Sequence, residues 1–227
     1  MNQRILISIV TIDRDASLIS MLYQSIRHHL RRRNIDLLIV CRESDILCQR
    51  NWIKEYRHVI IIKVDHYEIS GRYNLEKISE KRNICLKYAQ VSNYDYVFFI
   101  DSDVLVQKNT LKILIQGCEK HQADLCVVPY FIRGLKSVAV GKFNHNEILL
   151  KPQSVSNQQE SIKYKEGIGG MGCALIKKSL FEIPFTVSTV KTQGNWTIQG
   201  EDIGFYLCLI QQNYRYLYVK NHSIHHQ

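Results

Sequence analysis

Four short apolar runs in the first half of the chain constrain its fold more than any other feature. Each run is nearly continuous rather than alternating, which is typical of strands that are buried on both faces. Segments with helical spacing separate them, and this alternation predicts a parallel sheet with right-handed crossovers. The runs are "ILISIV", "IDLLIV", "HVIIIKV" and "YVFFI". The sequence therefore predicts an α/β fold with a mostly parallel central sheet flanked by helices.

The rest of the pattern fits one domain. The chain has 227 residues with 45% hydrophobic content, which is enough for one sizeable core. The second half is less regular than the first. The predicted helices are 15–31, 46–57, 75–90, 108–121 and 201–212, the later strands lie near 124–131, 168–176 and 215–220, and 151–166 is a polar loop.

The formal net charge of +9 indicates an anionic partner, but charge alone does not choose among nucleic acid, a membrane surface and phosphorylated substrates. The densest basic stretch is "RHHLRRRN", 27–34, toward the end of a predicted helix, where cations suit the helix dipole and solvent. It lacks the interleaved aromatic residues of a single-strand binding platform. We therefore expect no nucleic-acid partner.

The sequence contains no segment that we recognise as directing a protein to a membrane or out of the cell. The opening residues lack a cleavage site for a signal peptide, and no run approaches the roughly 20 apolar residues of a membrane span. We expect a cytoplasmic protein without a transmembrane anchor.

The seven cysteines are scattered and form no CxxC pair, so we expect reduced core thiols and no zinc site.

Two carboxylates follow the fourth apolar run, in "YDYVFFIDSDVLV", 94–106. Asp101 and Asp103 stand at the carboxyl end of the predicted strand, where open α/β sheets bind ligands. Residues two apart in extended backbone point the same way, so both side chains can converge on one cation. Hard oxygen ligands suit magnesium or manganese, and such an ion keeps positions open for phosphates. The alternative is a pair of solvated carboxylates in a turn.

The stretch "FFIDSDV" resembles the DxD motif of glycosyltransferases with the GT-A fold, especially the family-2-like group. Five further stretches extend the resemblance over most of the chain by their order and spacing. They are "VTID" (10–13), "SEKRN" (79–83), "GIGGMGCALI" (167–176), "GEDIGF" (200–205) and "NHSIHH" (221–226). The resemblance implies a single Rossmann-like GT-A domain over 1–227, with a nucleotide-sugar-binding half over about 1–106 and an acceptor-binding half over about 107–227.

The resemblance also implies roles for the donor side. Asp103 is the more direct metal ligand, and Asp101 contacts ribose or the metal, which is Mn²⁺ or Mg²⁺. His225 is the first choice for a histidine ligand, with His222 and His226 as alternatives, unless this end of the chain is frayed. The implied or candidate donor-binding residues are Thr11, Asp13, Asp45, Arg82, Asp101, Ser102 and Asp103. For Asp13 and Asp45, just beyond strand ends, helix capping is the alternative. Arg82 could reach the nucleotide or an aspartate of the DxD, and a surface arginine is the alternative.

On the acceptor side, "GIGGMG" removes side chains from a strand, so a sugar can approach closely unless the glycines only form a bulge or turn. The implied acceptor-binding residues are Gly169, Gly170, Met171 and Gly172. Asp202 is the implied general base and Glu201 orients the acceptor, which implies inversion at the anomeric carbon. Carboxylates in a first helical turn also suit the helix dipole, and this is the alternative for both.

Three other classes of protein would have to account for the same residues. A haloacid-dehalogenase-type phosphatase would use "DSDVLV" as its nucleophile motif, but that motif usually comes near the chain start. A sugar nucleotidyltransferase needs a glycine-rich, arginine-bearing loop after its first strand, which "VTIDRDAS" lacks. A basic nucleic-acid-binding or capsid-associated module would explain the net charge, but it gives no role to Asp101, Asp103, Glu201 and Asp202.

The sequence thus predicts a metal-dependent glycosyltransferase that moves a sugar from a nucleoside-diphosphate donor, a UDP-sugar, to a hydroxyl of a glycan or protein-linked acceptor. The phosphatase is the alternative function. The compact size resembles glycosyltransferases of bacteria or large DNA viruses, which work in a cytosol (the host cytoplasm for a virus). No pattern in the sequence identifies the sugar, the acceptor or the oligomeric state.

Overall fold

The computed structural model describes residues 3–10, 16–41, 59–64, 75–129, 138–144, 147–153, 162–192, 197–220, 222 and 225–226. An eight-stranded sheet is its largest feature. In spatial order the strands are β3 (Val59–Lys63), β2 (Ile35–Cys41), β1 (Ile5–Val10), β4 (Tyr96–Asp101), β11 (Cys173–Lys177), β6 (Leu125–Val127), β14 (Tyr216–Val219) and β9 (Tyr164–Glu166). Only β11 and β9 run against the other six. The predicted mostly parallel sheet is confirmed.

Both faces of this sheet are covered, as the continuous apolar runs predict. Alternate residues of β1 enter different cores: Ile5, Ile7 and Ile9 lie in one, whereas Leu6 and Val10 lie in the other. Two helices, α1 (Ala16–Ile26) and α3 (Thr110–Lys120), cover the first face, and α2 (Leu75–Val91) and α4 (Glu201–Gln211) cover the second. The burial of two apolar sets on one strand explains why its sequence does not alternate.

A second, five-stranded sheet was not predicted from the sequence. Its spatial order is β10 (Ile168–Gly169), β7 (Val138–Asn144), β8 (Glu147–Gln153), β12 (Ser188–Thr192) and β13 (Thr197–Gly200). Val140, Ile148 and Val190 pack into the core on the side of α2 and α4. The predicted loop over 151–166 is wrong at both ends, since β8 continues to Gln153 and β9 begins at Tyr164. The strands of the second sheet mix polar and apolar residues, so their apolar periodicity is weak.

The predicted helices differ from the observed ones mainly at their ends. The first was predicted to reach 31, but α1 ends at Ile26 and hydrogen-bonded turns follow it. The predicted helix 46–57 lies outside the described residues. The predicted strand over 168–176 is divided by a turn at 170–172 into β10 and β11. A last pair of strands, β5 (Val104–Leu105) and β15 (His225–His226), forms a two-stranded ribbon.

Most cysteines of the described residues are in the state that the composition predicts. Cys85, Cys118, Cys126, Cys173 and Cys208 are free thiols, as expected. The expectation of reduced thiols is wrong for Cys41, the last residue of β2, which is disulfide-bonded to a partner outside the described residues. No helix in the described part of the chain is long and apolar enough to cross a membrane.

Candidate active site

The paired aspartates lie at the carboxyl end of the central parallel strands. Asp101 is the last residue of β4 and pairs with Val10, the last residue of β1. Ser102 and Asp103 follow in a turn, and both are buried, with Asp103 only 5% exposed. A buried carboxylate needs a partner, because burial without compensation is costly for a charge. This location is where the sequence predicted a ligand site.

Arg82 connects the paired aspartates to the acidic motif at the start of α4. It lies on α2 and is only 2% exposed. Its Nη2 donates to Asp101 Oδ1 at 2.8 Å, its Nε lies 3.4 Å from Glu201 Oε1, and its Nη1 donates to Met171 O at 3.4 Å. The predicted contact of Arg82 with an aspartate of the DxD is therefore present, and the surface-arginine alternative is wrong.

Two aromatic rings hold the Arg82 guanidinium in place. Its Cζ lies 5.1 Å from the ring centre of Phe99 and 5.5 Å from that of Phe185. A cation within about 6 Å of an aromatic ring is attracted by the ring quadrupole, most strongly where water is excluded. Phe185 is itself stacked on Phe205 of α4 at 4.2 Å. The cation is thus fixed by packing as well as by charge.

Asn83, the residue after Arg82, has a role that the sequence did not predict. Its Nδ2 donates to Phe185 O at 2.9 Å, and its Oδ1 accepts from Phe185 N at 2.7 Å. Ser79 Oγ, one turn earlier on α2, also donates to Phe185 O. These bonds hold the segment that carries the Phe185 ring against Arg82. The asparagine was present in the quoted "SEKRN", but its spacing alone did not indicate this partner.

The glycine-rich stretch lies directly beside Asp101. Asp101 N donates to Gly172 O at 2.9 Å, which joins the turn before β11 to the end of β4. Gly167 has a φ of 153°, and a Cβ there would meet Gly141 O at 2.8 Å, so this position requires glycine. At Gly169, the backbone N donates to Tyr206 Oη at 3.2 Å and the carbonyl accepts from the same hydroxyl at 3.0 Å. Gly167 and Gly169 therefore have structural roles, while Gly170, Met171 and Gly172 form the turn nearest Asp101.

Glu201 and Asp202 form the first turn of α4, at its positive end. Glu201 is buried beside Arg82, whereas Asp202 is half-buried and accepts a hydrogen bond from Ile203 N at 2.8 Å. Burial raises the pKa of Asp202 to about 6, and the neighbouring Glu201 carboxylate adds to this, while Arg82 opposes it. A carboxylate with a pKa near neutrality is suited to accept and release a proton.

The terminal histidines lie close to Asp103 along the backbone. In the ribbon of β15 and β5, His226 pairs with Val104 and His225 pairs with Leu105, immediately after Asp103. His222 is buried, and its Nε2 lies 3.1 Å from Thr110 Oγ1 at the start of α3. Burial lowers the pKa of His222, which favours its neutral imidazole. The chain end is thus paired with a strand rather than frayed in its described part.

The residue types at this edge of the sheet are those that bind divalent cations. Asp103 is a buried carboxylate, and Arg82 binds only the Oδ1 atom of Asp101, at 2.8 Å. The pairing of β15 with β5 brings a strand that carries histidines next to Asp103. Carboxylate oxygens with an imidazole suit Mn²⁺ or Mg²⁺. No group of three or more potential metal ligands is assembled among the described residues. Thr11, Asp13 and Asp45 lie outside the described residues.

The glycosyl transferase family 2 profile matches residues 69–183, which are 115 of the 227 residues. The chain belongs to glycosyl transferase family 2. The match includes Arg82, the paired aspartates and the glycine-rich turn. Glu201 and Asp202 lie beyond the matched range.

Solved structures show that this family 2 member has the GT-A fold. It is similar to GalNAc-T7, solved with UDP, GalNAc and Mn²⁺, with a TM-score of 0.61 and 14% identity. It is also similar to S. aureus TarS, residues 1–349, with a TM-score of 0.58 and 14% identity. The superpositions cover 99% of this chain in both cases but only 44% of the GalNAc-T7 chain and 60% of the TarS chain.

No curated protein sequence matches this family 2 member. The two structural neighbours are both GT-A glycosyltransferases, so the predicted fold class is confirmed. Neither the family match nor the neighbours support the phosphatase alternative.

Proposed function

We propose that this glycosyltransferase moves a sugar from a UDP-sugar to a hydroxyl of a glycan or protein-linked acceptor, with inversion at the anomeric carbon. The contact of Arg82 with both Asp101 and Glu201 carries the proposal, because one buried cation joins the predicted donor motif to the predicted acceptor motif. The UDP and Mn²⁺ bound to GalNAc-T7 support a UDP donor and a divalent cation here.

The cation would be held by Asp103 and Asp101 with His225 as the histidine ligand, and His222 and His226 are the alternatives. A bound divalent cation supplies Lewis-acid stabilisation of the charge that develops on the leaving diphosphate. Thr11, Asp13, Asp45, Arg82 and Ser102 would complete the donor side. In this proposal residues 1–106 form the donor half and 107–227 the acceptor half.

The chain's own chemistry centres on Asp202. With a pKa of about 6, this carboxylate is ionised at neutral pH and can take the proton of the acceptor hydroxyl. Ile203 N–H orients one of its oxygens, so the side chain does not have to be ordered when the acceptor binds. Glu201, neutralised by Arg82, would orient the acceptor, while Gly170, Met171 and Gly172 would lie against it, with Gly169 fixed behind them by Tyr206.

The test is a panel of nucleotide sugars screened for thermal stabilisation with and without Mn²⁺, because a ligand that binds only the folded state raises its apparent stability. We expect UDP-sugars to stabilise the protein in a Mn²⁺-dependent manner. Product formed from the stabilising donor is then analysed for its anomeric configuration by NMR. Stabilisation by no nucleotide sugar, or product that keeps the donor's configuration, would contradict the proposal. The cytoplasmic location expected from the sequence stays a prediction.

A further inference from the structure

The basic turn, residues 27–33 after α1, is an ordered and strongly cationic surface that the proposed reaction does not use. Arg27, Arg31, Arg32 and Arg33 are exposed. None of the four forms an ion pair with any described residue. The sequence from 16 to 35 contains no Asp or Glu that could neutralise them. Four uncompensated charges on one short turn favour binding to an anionic surface.

Backbone hydrogen bonds and two buried side chains fix the shape of the basic turn. Arg27 N donates to Tyr23 O at 2.9 Å, and His29 N and Arg32 N donate to the carbonyls three residues earlier at 2.9 and 3.1 Å. The side chains of His29 and Leu30 are buried beneath the turn, so they anchor it to the core. Because the backbone is ordered before binding, the arginines are presented without a further cost of ordering the chain.

The basic turn is extended on both sides. The His28 ring contacts Lys108 O at 3.2 Å, which places the exposed Lys108 segment beside the turn. On α1, Met21 is 41% exposed and lies between one and two helical turns before the basic turn. An exposed apolar side chain on the helix that leads into a cluster of arginines suits a surface that lies in a membrane interface.

We propose that the basic turn docks this glycosyltransferase onto a lipid bilayer that carries anionic headgroups. The arginines bind the headgroup phosphates, to which their planar guanidinium groups are matched, and Met21 enters the interfacial layer. Nucleic acid is less suited to this surface, because the turn offers no exposed aromatic ring on which bases can stack. The docking concerns a face of the sheet covered by α1 and needs neither a nucleotide sugar nor a metal.

The experiment is co-sedimentation of the whole protein with vesicles of phosphatidylcholine alone or with about one-third phosphatidylglycerol. The test variant is Arg31→Glu/Arg32→Glu/Arg33→Glu. The matched control is Lys87→Glu/Lys142→Glu/Lys191→Glu, which makes the same charge change at exposed lysines of α2, β7 and β12, on the other face of the sheet. The corresponding arginine-to-glutamine triple serves as a second variant if the first is less stable by thermal unfolding.

We expect binding only to the anionic vesicles, weakened as NaCl rises from about 0.1 M to about 0.5 M. A basic residue near such a surface is worth about fivefold in affinity, so the test variant should lose roughly 100-fold or more. The control should lose much less, and Met21→Ser should lose a few-fold without changing the salt dependence. Equal binding to neutral vesicles, or an equal loss in the control, would overturn the proposal. So would affinity for duplex or single-stranded nucleic acid in the absence of vesicle binding.

Discussion

The guanidinium of Arg82 lies 2.8 Å from the carboxylate of Asp101, and this ion pair is almost completely buried on the arginine side. The same cation lies 3.4 Å from Glu201, so removing it leaves two carboxylates without their shared partner. Breaking a buried ion pair on one side is strongly destabilising, because a charge remains in a poorly solvated site.

Arg82→Met is therefore expected to lower the free energy of unfolding by about 3 kcal/mol. The double variant Arg82→Met/Glu201→Gln should recover part of this loss, because the uncompensated charge is gone. Arg4→Met is the control, since that arginine is half exposed and its ion pair with Asp36, at 3.7 Å, should be worth less than about 1 kcal/mol. Urea unfolding measures all three. Similar losses for Arg82→Met and Arg4→Met would contradict the role given to the buried pair.

The pH dependence of turnover follows from Asp202, whose pKa is about 6. A general base works only when ionised, so kcat should fall about tenfold per pH unit below about 6 and level off above it. Arg82 lowers the pKa of Asp202, so Arg82→Met should move this limb to higher pH. The kcat profile over the acidic range measures both effects. If the acidic limb of the kcat profile stays unchanged in Arg82→Met, a group other than Asp202 is responsible for it.

Asp202→Asn tests the base itself. The amide keeps an oxygen that can accept from Ile203 N, so the first turn of α4 should stay intact. We expect turnover to fall by roughly 10²- to 10⁴-fold, the usual worth of a positioned base, with little change in donor affinity. Glu201→Gln should be milder or act mainly on the KM for the acceptor. Near-normal turnover of Asp202→Asn would leave the acidic pair as helix-capping residues only.

His29 should make the stability of the fold depend on pH. Its ring is 2% exposed, and both nitrogens lack a hydrogen-bond partner among the described residues. Burial, together with the nearby His28 and Arg32, lowers the pKa of His29 from 6.5 to about 3. As the pH falls below about 6.5, the unfolded chain takes up a proton that the folded chain does not, so stability decreases.

The free energy of unfolding should therefore fall by about 2 kcal/mol between about pH 7.5 and about pH 5 because of His29. His29→Leu should remove it, so the variant should gain stability relative to the parent at the lower pH and differ little at the higher one. His28→Gln is the control, because it keeps His29. Thermal unfolding at the two pH values measures the difference, and a parallel pH response of the parent and His29→Leu would show that another group is responsible.

The parts of the fold that the sequence predicted are those in which local pattern and tertiary burial agree. β1 to β4 are nearly continuous apolar runs, and β1, β2 and β4 are buried on both faces of the sheet. The second sheet was not predicted because β7 and β8 are half polar, with Gly141 in β7 and Pro152 in β8. The β5–β15 ribbon was missed because two-residue strands have no periodicity, and their pairing joins residues 120 positions apart, 105 and 225.

Some residues of the candidate site could also be predicted from local pattern, and others could not. Asp101 and Asp103 were predictable, since a strand end marks the ligand edge of the sheet. The bridge from Arg82 to Glu201 was not, because it joins residues 119 positions apart, 82 and 201, and depends on how α2 packs beside α4. Lys81 was not singled out either, although it is buried on α2 next to Arg82. A residue's partner across the core is set by packing, which the sequence pattern does not report.

The central claim is that Asp103 supports metal-dependent binding of a nucleoside diphosphate, and calorimetric titration with UDP in the presence and absence of Mn²⁺ tests it most directly. The parent and Glu119→Gln, an exposed carboxylate at the far end of α3, should bind UDP tightly only with Mn²⁺. Asp103→Asn should weaken that affinity by about 100-fold or more while the thermal unfolding curve keeps its cooperativity. Unchanged Mn²⁺-dependent affinity in Asp103→Asn, or UDP binding by the parent that ignores Mn²⁺, would contradict the account.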